Sequence, residues 1–163
     1  MSDLTDIHYA VHIVPDLDRF TFDGRLQMTA TPAHTLDAVH LNAIDLEVLH
    51  CTAMQDGTAI RAEVAADPEN EALIVRLDPA PAQPFRLTID YRGEINDRMA
   101  GFYRSGYQWN DQPHFMAVTQ FQESDARRAF PCLDHPVHKA TFDIEMTVAA
   151  DLTAISNGAV REE

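Results

Sequence analysis

Histidine is the residue type in this sequence that most invites a metal site. Two pairs of the eight histidines stand at ligand-like spacing: His8 with His12, and His135 with His138. A zinc peptidase of the H-E-x-x-H type needs both histidines on one helical face and a glutamate beside the first as general base. No glutamate follows His8, and the motif occurs nowhere in the chain. We therefore interpret His8 and His12 as solvated residues on the polar face of a strand.

The second histidine pair lies in a loop around Pro136, where Asp134 and Cys132 could add a carboxylate and a thiol. A role as turn residues is favoured over a metal site. Motifs for serine hydrolysis (G-x-S-x-G) and for nucleotide binding (G-x-G-x-x-G, G-x-x-x-x-G-K-[ST]) are absent from the sequence. Any pairing of acidic residues into a catalytic dyad would be arbitrary. We predict no catalytic residue, no metal ligand and no cofactor in this chain.

Charge narrows the possible partners. The chain carries 26 Asp and Glu against 12 Lys and Arg, a formal net charge of −14 that is spread without a run of like charges. Nucleic acids and anionic membranes are bound by basic patches, so neither is an expected partner. A cationic ligand, such as the free amine of a peptide, would not be repelled.

Cysteine usage and the first residues indicate the compartment. Cys51 and Cys132 lie far apart without CxxC spacing, and we interpret both as reduced thiols, although the sequence alone leaves a disulfide open. The first six residues, from Met1 to Asp6, contain no basic region followed by an apolar one, and no apolar run is long enough to span a membrane. A soluble, cytoplasmic protein is expected.

The elements that would position these residues follow a period of two. Apolar and polar side chains alternate in four segments, which are Ile7–Ile13, Phe22–Ala30, Phe85–Tyr91 and Ala140–Val148. Side chains at i and i+2 share one face of a strand, so these segments predict half-buried strands. Six shorter strands are expected at Leu36–Leu41, Leu46–Ala53, Ile60–Val64, Leu73–Leu77, His114–Thr119 and Leu152–Ser156. The pattern predicts an all-β fold of curved, sandwich-like antiparallel sheets.

One segment breaks the alternation. Ser124–Phe130 opens with a residue that can cap a helix, has an acid in its first turn and is stopped by Pro131. A single short helix is predicted there. Gln108–Pro113 is the most loop-like stretch and holds the only tryptophan, Trp109.

Five segments between residues 101 and 157 carry distinctive residues in a fixed order. They are Gly101–Ser105, Met116–Gln122, Asp125–Pro136, Lys139–Phe142 and Ser156–Asn157. In order and spacing they resemble the N-terminal domain of the M1 zinc aminopeptidases, a family that includes aminopeptidase N and leukotriene hydrolase. That domain carries G-F-Y-R-S, T-Q-F-E, D-A-R-R-A-F-P-C-x-D-E-P, K-A-x-F and S-N. Upstream, Tyr9–Val14 and Pro15–Gly24 resemble the opening hairpin of the family more loosely.

The resemblance implies a saddle-like β domain that packs on a thermolysin-like catalytic domain of the same polypeptide. Zn²⁺ would belong to that catalytic domain of the parent enzyme and not to this chain. Residues 1–163 are expected to form the N-terminal domain, to end before its last strands and to be inert alone. A sheet edge left bare by that ending could pair with a second copy.

The resemblance also implies a substrate-binding role for Gln120 and Gln122. They occupy the family's T-Q-x-E positions, which help to bind the free α-amine of the substrate and shape its first side-chain pocket. Side chains at i and i+2 of an extended segment point the same way, so both amides could converge on one ligand. Gln122 stands where an acid is usual, and an amide binds an ammonium more weakly than a carboxylate does. Alternatively, the two amides satisfy backbone groups at a strand end.

Two features of these segments belong to the scaffold. His135 replaces a glutamate that is usual in the family, and Arg127 or Arg128 could pair with Asp134 across the short helix.

The first hypothesis for the function of this chain is a non-catalytic N-terminal domain of a zinc aminopeptidase. The alternative is a free-standing β-sandwich binding or interaction module. An independent metal-dependent hydrolase is disfavoured, because no general base accompanies any candidate ligand pair.

Overall fold

The computed structural model describes residues 3–162, and Met1, Ser2 and Glu163 lie outside the described residues. The described residues form ten β-strands, which are β1 (Leu4–Asp16), β2 (Thr21–Pro32), β3 (Ala38–Asn42), β4 (Leu46–Gln55), β5 (Thr58–Asp67), β6 (Ala72–Asp78), β7 (Phe85–Glu94), β8 (Gly101–Trp109), β9 (Gln112–Gln120) and β10 (Ala140–Met146). They also form two 3₁₀ helices, η1 (Pro68–Asn70) and η2 (Ala126–Arg128). The predicted all-β class is confirmed.

Eight of these strands form one curled sheet in the order β10-β1-β2-β7-β4-β5-β6-β3, while β8 and β9 form a separate hairpin. Neighbouring strands of the large sheet are antiparallel except β1 and β10, which run parallel with Ile7 opposite Ala140 and Ile13 opposite Met146. The antiparallel arrangement expected from the sequence is therefore confirmed, with one exception at the sheet edge.

The core forms because alternate residues of the long strands face inward. The central strands β1, β2 and β7 bury apolar side chains that include Val11, Leu26, Met28, Leu87 and Ile89. Leu41 of β3 and Val75 of β6 belong to the same hydrophobic cluster, although these strands lie at the far end of the sheet. The sheet therefore curls around a single core.

The opposite face of the central strands carries charge. Arg25 of β2 donates to Asp90 of β7 at 2.6 Å, and Arg92 of β7 donates to Asp23 of β2 at 2.8 Å. The hydrogen bond from Arg25 holds the pKa of Asp90 below its ordinary value. Cross-strand pairs of opposite charge stabilise adjacent strands and keep this face in water.

The ring of Tyr91 packs across β2 at Gly24. A Cβ built on Gly24 would lie 2.2 Å from Cζ of Tyr91, so any larger residue would collide with the ring. Tyr91 is completely buried, and its hydroxyl has no hydrogen-bond partner among residues 3–162. The glycine thus makes room for a large aromatic ring at the cost of an unsatisfied hydroxyl.

The predicted helix at Ser124–Phe130 is present only as η2, three residues of 3₁₀ helix. Asp125 makes no side-chain cap hydrogen bond, because its carboxylate accepts from Nε of Arg128 at 3.0 Å. The prediction of a single short helix also missed η1, at whose start Asp67 accepts from the Asn70 backbone N–H at 3.3 Å. Both helical elements are single turns between strands.

Two strand predictions are corrected. The loop expected at Gln108–Pro113 is the tip of the β8–β9 hairpin, and β8 was not predicted as a strand. Only Asn110 and Asp111 form the turn, both with positive φ, as in the tight hairpin turns that favour Asn and Asp. The strand expected at Leu152–Ser156 is wrong, since those exposed residues have no strand conformation.

Candidate functional site

Gln120 is the last residue of β9 and lies opposite Gly101, the first residue of β8. Its side chain is exposed. The two hairpin strands therefore place the Gln120 amide at the base of the hairpin, where β9 leaves the sheet and the chain turns toward η2.

Gln122 lies just beyond the end of β9. The strand ends at Gln120, and Gln122 begins the turn that spans residues 122–125. Strand pairing ends at Gln120, and the shared face of the two amides stays a prediction. Both side chains are exposed, and neither takes part in a side-chain hydrogen bond within the described residues. Both amides are available to an external ligand.

The residue between the two glutamines anchors them to the core. Phe121 packs edge-on against Phe130, with ring centroids 5.9 Å apart, and its carbonyl accepts from the Asp125 backbone N–H at 3.0 Å. Phe130 is buried and its ring also lies 6.1 Å from that of Tyr9. The exposed amides therefore flank a side chain that is fixed by aromatic packing.

Arg127 holds the turn after Gln122 onto the sheet. Its Nε donates to Asp134 at 3.0 Å and its Nη1 donates to Glu71 at 2.8 Å. Burial alone would lower the pKa of Arg127, but hydrogen bonds to Asp134 and Glu71 outweigh it and raise the pKa above its ordinary value. The predicted scaffold pairing of Arg127 with Asp134 is confirmed. The ion pair of Arg127 with Glu71 was not predicted, because the two residues are 56 positions apart in the sequence.

Arg128 connects the same turn to the hairpin and to the β3–β4 connection. Its Nη1 donates to Asp45 at 3.2 Å, and the same carboxylate oxygen accepts from Arg98 at 2.9 Å. Gly101 has a φ of +69°, and a Cβ on it would lie 2.4 Å from the Cβ of Arg128. Only glycine permits this backbone conformation and this close approach together. The first pair of the hairpin is therefore in contact with the turn that follows Gln122.

His8 and His12 link strands instead of standing free in water. Nδ1 of His8 lies 2.8 Å from Oγ1 of Thr141, and Nε2 of His12 lies 2.9 Å from Oγ1 of Thr147. They are on the polar face, as predicted, but both side chains are about one-third exposed and contact β10 and the residue after it. The described residues contain no group of three or more His, Cys, Asp or Glu arranged to hold a metal ion.

The other candidate residues are the two loop histidines and the two cysteines. The rings of His135 and His138 lie 6.3 Å apart, and burial together with His135 lowers the pKa of His138. Cys51 is half-buried and Cys132 buried, and both are free thiols. Burial raises the pKa of Cys51 to about 11 and also raises that of Cys132. Neither thiol has the lowered pKa of a nucleophile.

Comparison with known proteins identifies the family of this chain. The family model described as the peptidase M1 N-terminal domain matches residues 5–163. This chain belongs to that family. The chain is 39% identical over 155 residues to a puromycin-sensitive aminopeptidase of Caenorhabditis elegans, and the match covers 92% of the chain. It is also 39% identical over 166 residues to aminopeptidase M1-A of Oryza sativa subsp. japonica, and 38% identical over 161 residues to aminopeptidase M1 of Arabidopsis thaliana, covering 95% of the chain in each case.

The M1 N-terminal domain spans only a small part of these relatives. It covers 16% of the nematode protein and 18% of each of the two plant proteins. Within residues 3–162 there is no helix that is long and apolar enough to cross a membrane.

Proposed function

We propose that this chain is the non-catalytic N-terminal domain of a zinc-dependent aminopeptidase, that it packs on the catalytic domain, and that it helps to bind the free N-terminus of peptide substrates. One observation carries this proposal: nearly the whole chain matches the M1 N-terminal domain, and the matched relatives are named aminopeptidases of which it covers less than a fifth. In the parent enzyme Zn²⁺ would be held by the catalytic domain. A cytoplasmic location remains a prediction.

The amine-binding role rests on Gln120 and Gln122. Both amides are exposed and unused within the described residues, and Phe121 between them is fixed against Phe130. An amide oxygen accepts hydrogen bonds from an ammonium, and each such bond to a charged group contributes roughly 1.5–3 kcal/mol. The acidic surface of a chain with net charge −14 also favours a cation.

Kinetics of the full-length enzyme test this role. Gln120→Ala should lower kcat/KM about ten- to a hundredfold if the contact persists in the transition state. Gln27→Ala, at an exposed position of β2, is the matched control and should leave kinetics unchanged. Gln122→Glu adds a charge facing a cation, so it should lower KM for substrates with a free amine and leave amine-blocked substrates unaffected. Wild-type kinetics and melting temperatures in Gln120→Ala and Gln122→Glu would show that the amine-site assignment is wrong.

The proposal also requires the isolated chain to be inert. Purified protein should contain no stoichiometric zinc by metal analysis and should hydrolyse no amino-acid anilide, because no pair of histidines is accompanied by a general base. One tightly bound zinc per chain together with turnover would instead support an independent hydrolase.

A second candidate function is a free-standing interaction module that associates through a sheet edge. The observation in its favour is that, within residues 3–162, β10 pairs with β1 on one side only, while Phe142 and Ile144 on its apolar face are 50% and 46% exposed. An open edge offers unpaired backbone groups to a second copy. Sedimentation of the isolated chain at increasing concentration should then reveal a dimer, whereas a monomer throughout would exclude this mode.

A further inference from the structure

The turn that follows β9 has an exposed apex between two fixed ends. The carbonyl of Phe121 accepts from the Asp125 backbone N–H at 3.0 Å, and this hydrogen bond closes the turn. The ring of Phe121 packs on Phe130 at one end, while the Asp125 carboxylate at the other end accepts from Nε of Arg128 at 3.0 Å. The apex between these ends consists of three exposed residues, Gln122, Glu123 and Ser124. The turn therefore presents a carboxylate next to an amide of the proposed amine site.

Glu123 differs from the carboxylates that surround the turn, because no arginine neutralises it. The surrounding acids all form ion pairs, which are Asp125 with Arg128, Asp134 and Glu71 with Arg127, and Asp45 with both Arg98 and Arg128. Glu123 takes part in no ion pair and no side-chain hydrogen bond within residues 3–162. The arginines nearest to it in the sequence, Arg127 and Arg128, already have two carboxylate partners each. The charge of Glu123 is therefore free to attract an external cation.

The two amides of the proposed amine site carry no charge of their own. Gln120 and Gln122 can accept hydrogen bonds from the α-amine, which every peptide with a free N-terminus has, so they do not distinguish one first residue from another. A carboxylate beside them adds a charge that a second cation on the substrate can use. Lysine and arginine are the first residues whose side chains supply such a cation at neutral pH.

We infer that Glu123 is a specificity-determining residue, which favours peptides whose first residue is lysine or arginine. The inference rests on the proposed function, because it requires the N-terminus of the substrate to lie beside this turn. An exposed ion pair changes affinity by up to about fivefold, whereas a hydrogen bond to a charged group changes it by about tenfold or more. At the junction with a second domain Glu123 would be partly covered, so its effect on the preference for basic residues should be about three- to tenfold.

Two anilide substrates of the full-length enzyme test this role. Lysine and methionine both have long unbranched side chains, so their anilides differ mainly in the charge of the first residue. The quantity to measure is kcat/KM for the lysine anilide divided by kcat/KM for the methionine anilide. Glu123→Gln should lower this ratio about three- to tenfold, and Glu123→Asp, which keeps the charge, should stay closer to the wild type. Glu69→Gln removes an equally exposed and unpaired carboxylate in η1 and should leave the ratio unchanged.

Salt provides a second measurement on the same variants. Because dissolved ions screen the attraction between charges, the wild-type ratio should fall as NaCl is raised, whereas the ratio of Glu123→Gln should change little. The same salt dependence in both proteins would overturn the inference. An unchanged ratio in Glu123→Gln would overturn it too. Equal losses of kcat/KM for the lysine and methionine anilides would also overturn it, because Glu123 would then act on the α-amine that both substrates share.

The specificity role of Glu123 and the amine site can fail separately. Impaired kinetics of Gln120→Ala together with an unchanged lysine-to-methionine ratio in Glu123→Gln would support the amine site and reject the specificity role. Wild-type kinetics of Gln120→Ala together with a lowered ratio in Glu123→Gln would reject the amide contact and support the specificity role.

Discussion

Two buried tyrosines should respond in opposite ways to the same substitution. Tyr91 and Tyr9 are 0% and 3% exposed, and replacing either with phenylalanine removes one hydroxyl from the core. The Tyr91 hydroxyl has no hydrogen-bond partner in the described part of the chain, whereas the Tyr9 hydroxyl accepts from the Leu133 backbone N–H at 3.1 Å. An unsatisfied buried polar group costs about 1–3 kcal/mol. Tyr91→Phe should therefore stabilise the fold by about that amount.

Tyr9→Phe should destabilise the fold, because it leaves the Leu133 N–H without its acceptor at a cost of about 1–3 kcal/mol. For a domain of this size each kcal/mol shifts the melting temperature by roughly 2–4 °C. Urea unfolding followed by circular dichroism measures both changes, provided that the slope against urea is the same for each variant. If Tyr91→Phe lost as much stability as Tyr9→Phe, the reasoning from the unsatisfied hydroxyl would be refuted.

Three further predictions concern packing, charge and thiol chemistry. Gly24→Ala should destabilise by about 1–3 kcal/mol, because the new Cβ meets a buried ring at 2.2 Å, whereas Gly158→Ala, with nothing within 4 Å, should leave urea unfolding unchanged. Arg127→Met should lower the free energy of unfolding by about 3 kcal/mol, because it leaves the Asp134 carboxylate, whose side chain is 10% exposed, without its partner. Arg61→Met removes an ion pair whose side chains are 71% and 57% exposed, so it should lower the free energy of unfolding by less than about 1 kcal/mol in the same assay. Cys51, with a pKa raised to about 11, should react slowly with iodoacetamide at pH 8 and about tenfold faster for each added pH unit while the protein stays folded, and a rate at pH 8 like that of a free thiol would contradict this.

The sequence predicts those strands in which apolar and polar residues alternate over a short stretch. The centre of the sheet, formed by β1, β2 and β7, lies where the period of two placed it, because each strand shows its buried face within a few residues. Strand β8 was missed although Tyr103, Tyr107 and Trp109 alternate along it, since its neighbours are polar and its tip resembles a loop. The parallel pairing of β10 with β1 joins residues more than a hundred positions apart and leaves no local trace.

Some contacts of the candidate site could likewise be predicted from the sequence, and others could not. The pairing of Arg127 with Asp134 could be predicted, because the two residues stand seven positions apart across one turn. The contacts of that turn with Glu71 and Asp45 could not, because these carboxylates come from other strand connections. The end of β9 at Gln120 was hidden as well, since the sequence reads as one extended segment through Gln122.

The parallel pairing of β1 with β10 has a consequence during synthesis. Ile7 pairs with Ala140, so 133 residues must be added after Ile7 before the outer edge of β1 has its partner. At a synthesis rate of roughly 5–20 residues per second, that edge stays open for about 7–27 s on every ribosome that makes the protein. Throughout this interval β1 can pair with the β1 strand of a neighbouring nascent chain, and slow translation or crowded polysomes should favour such mispairing over the native sheet.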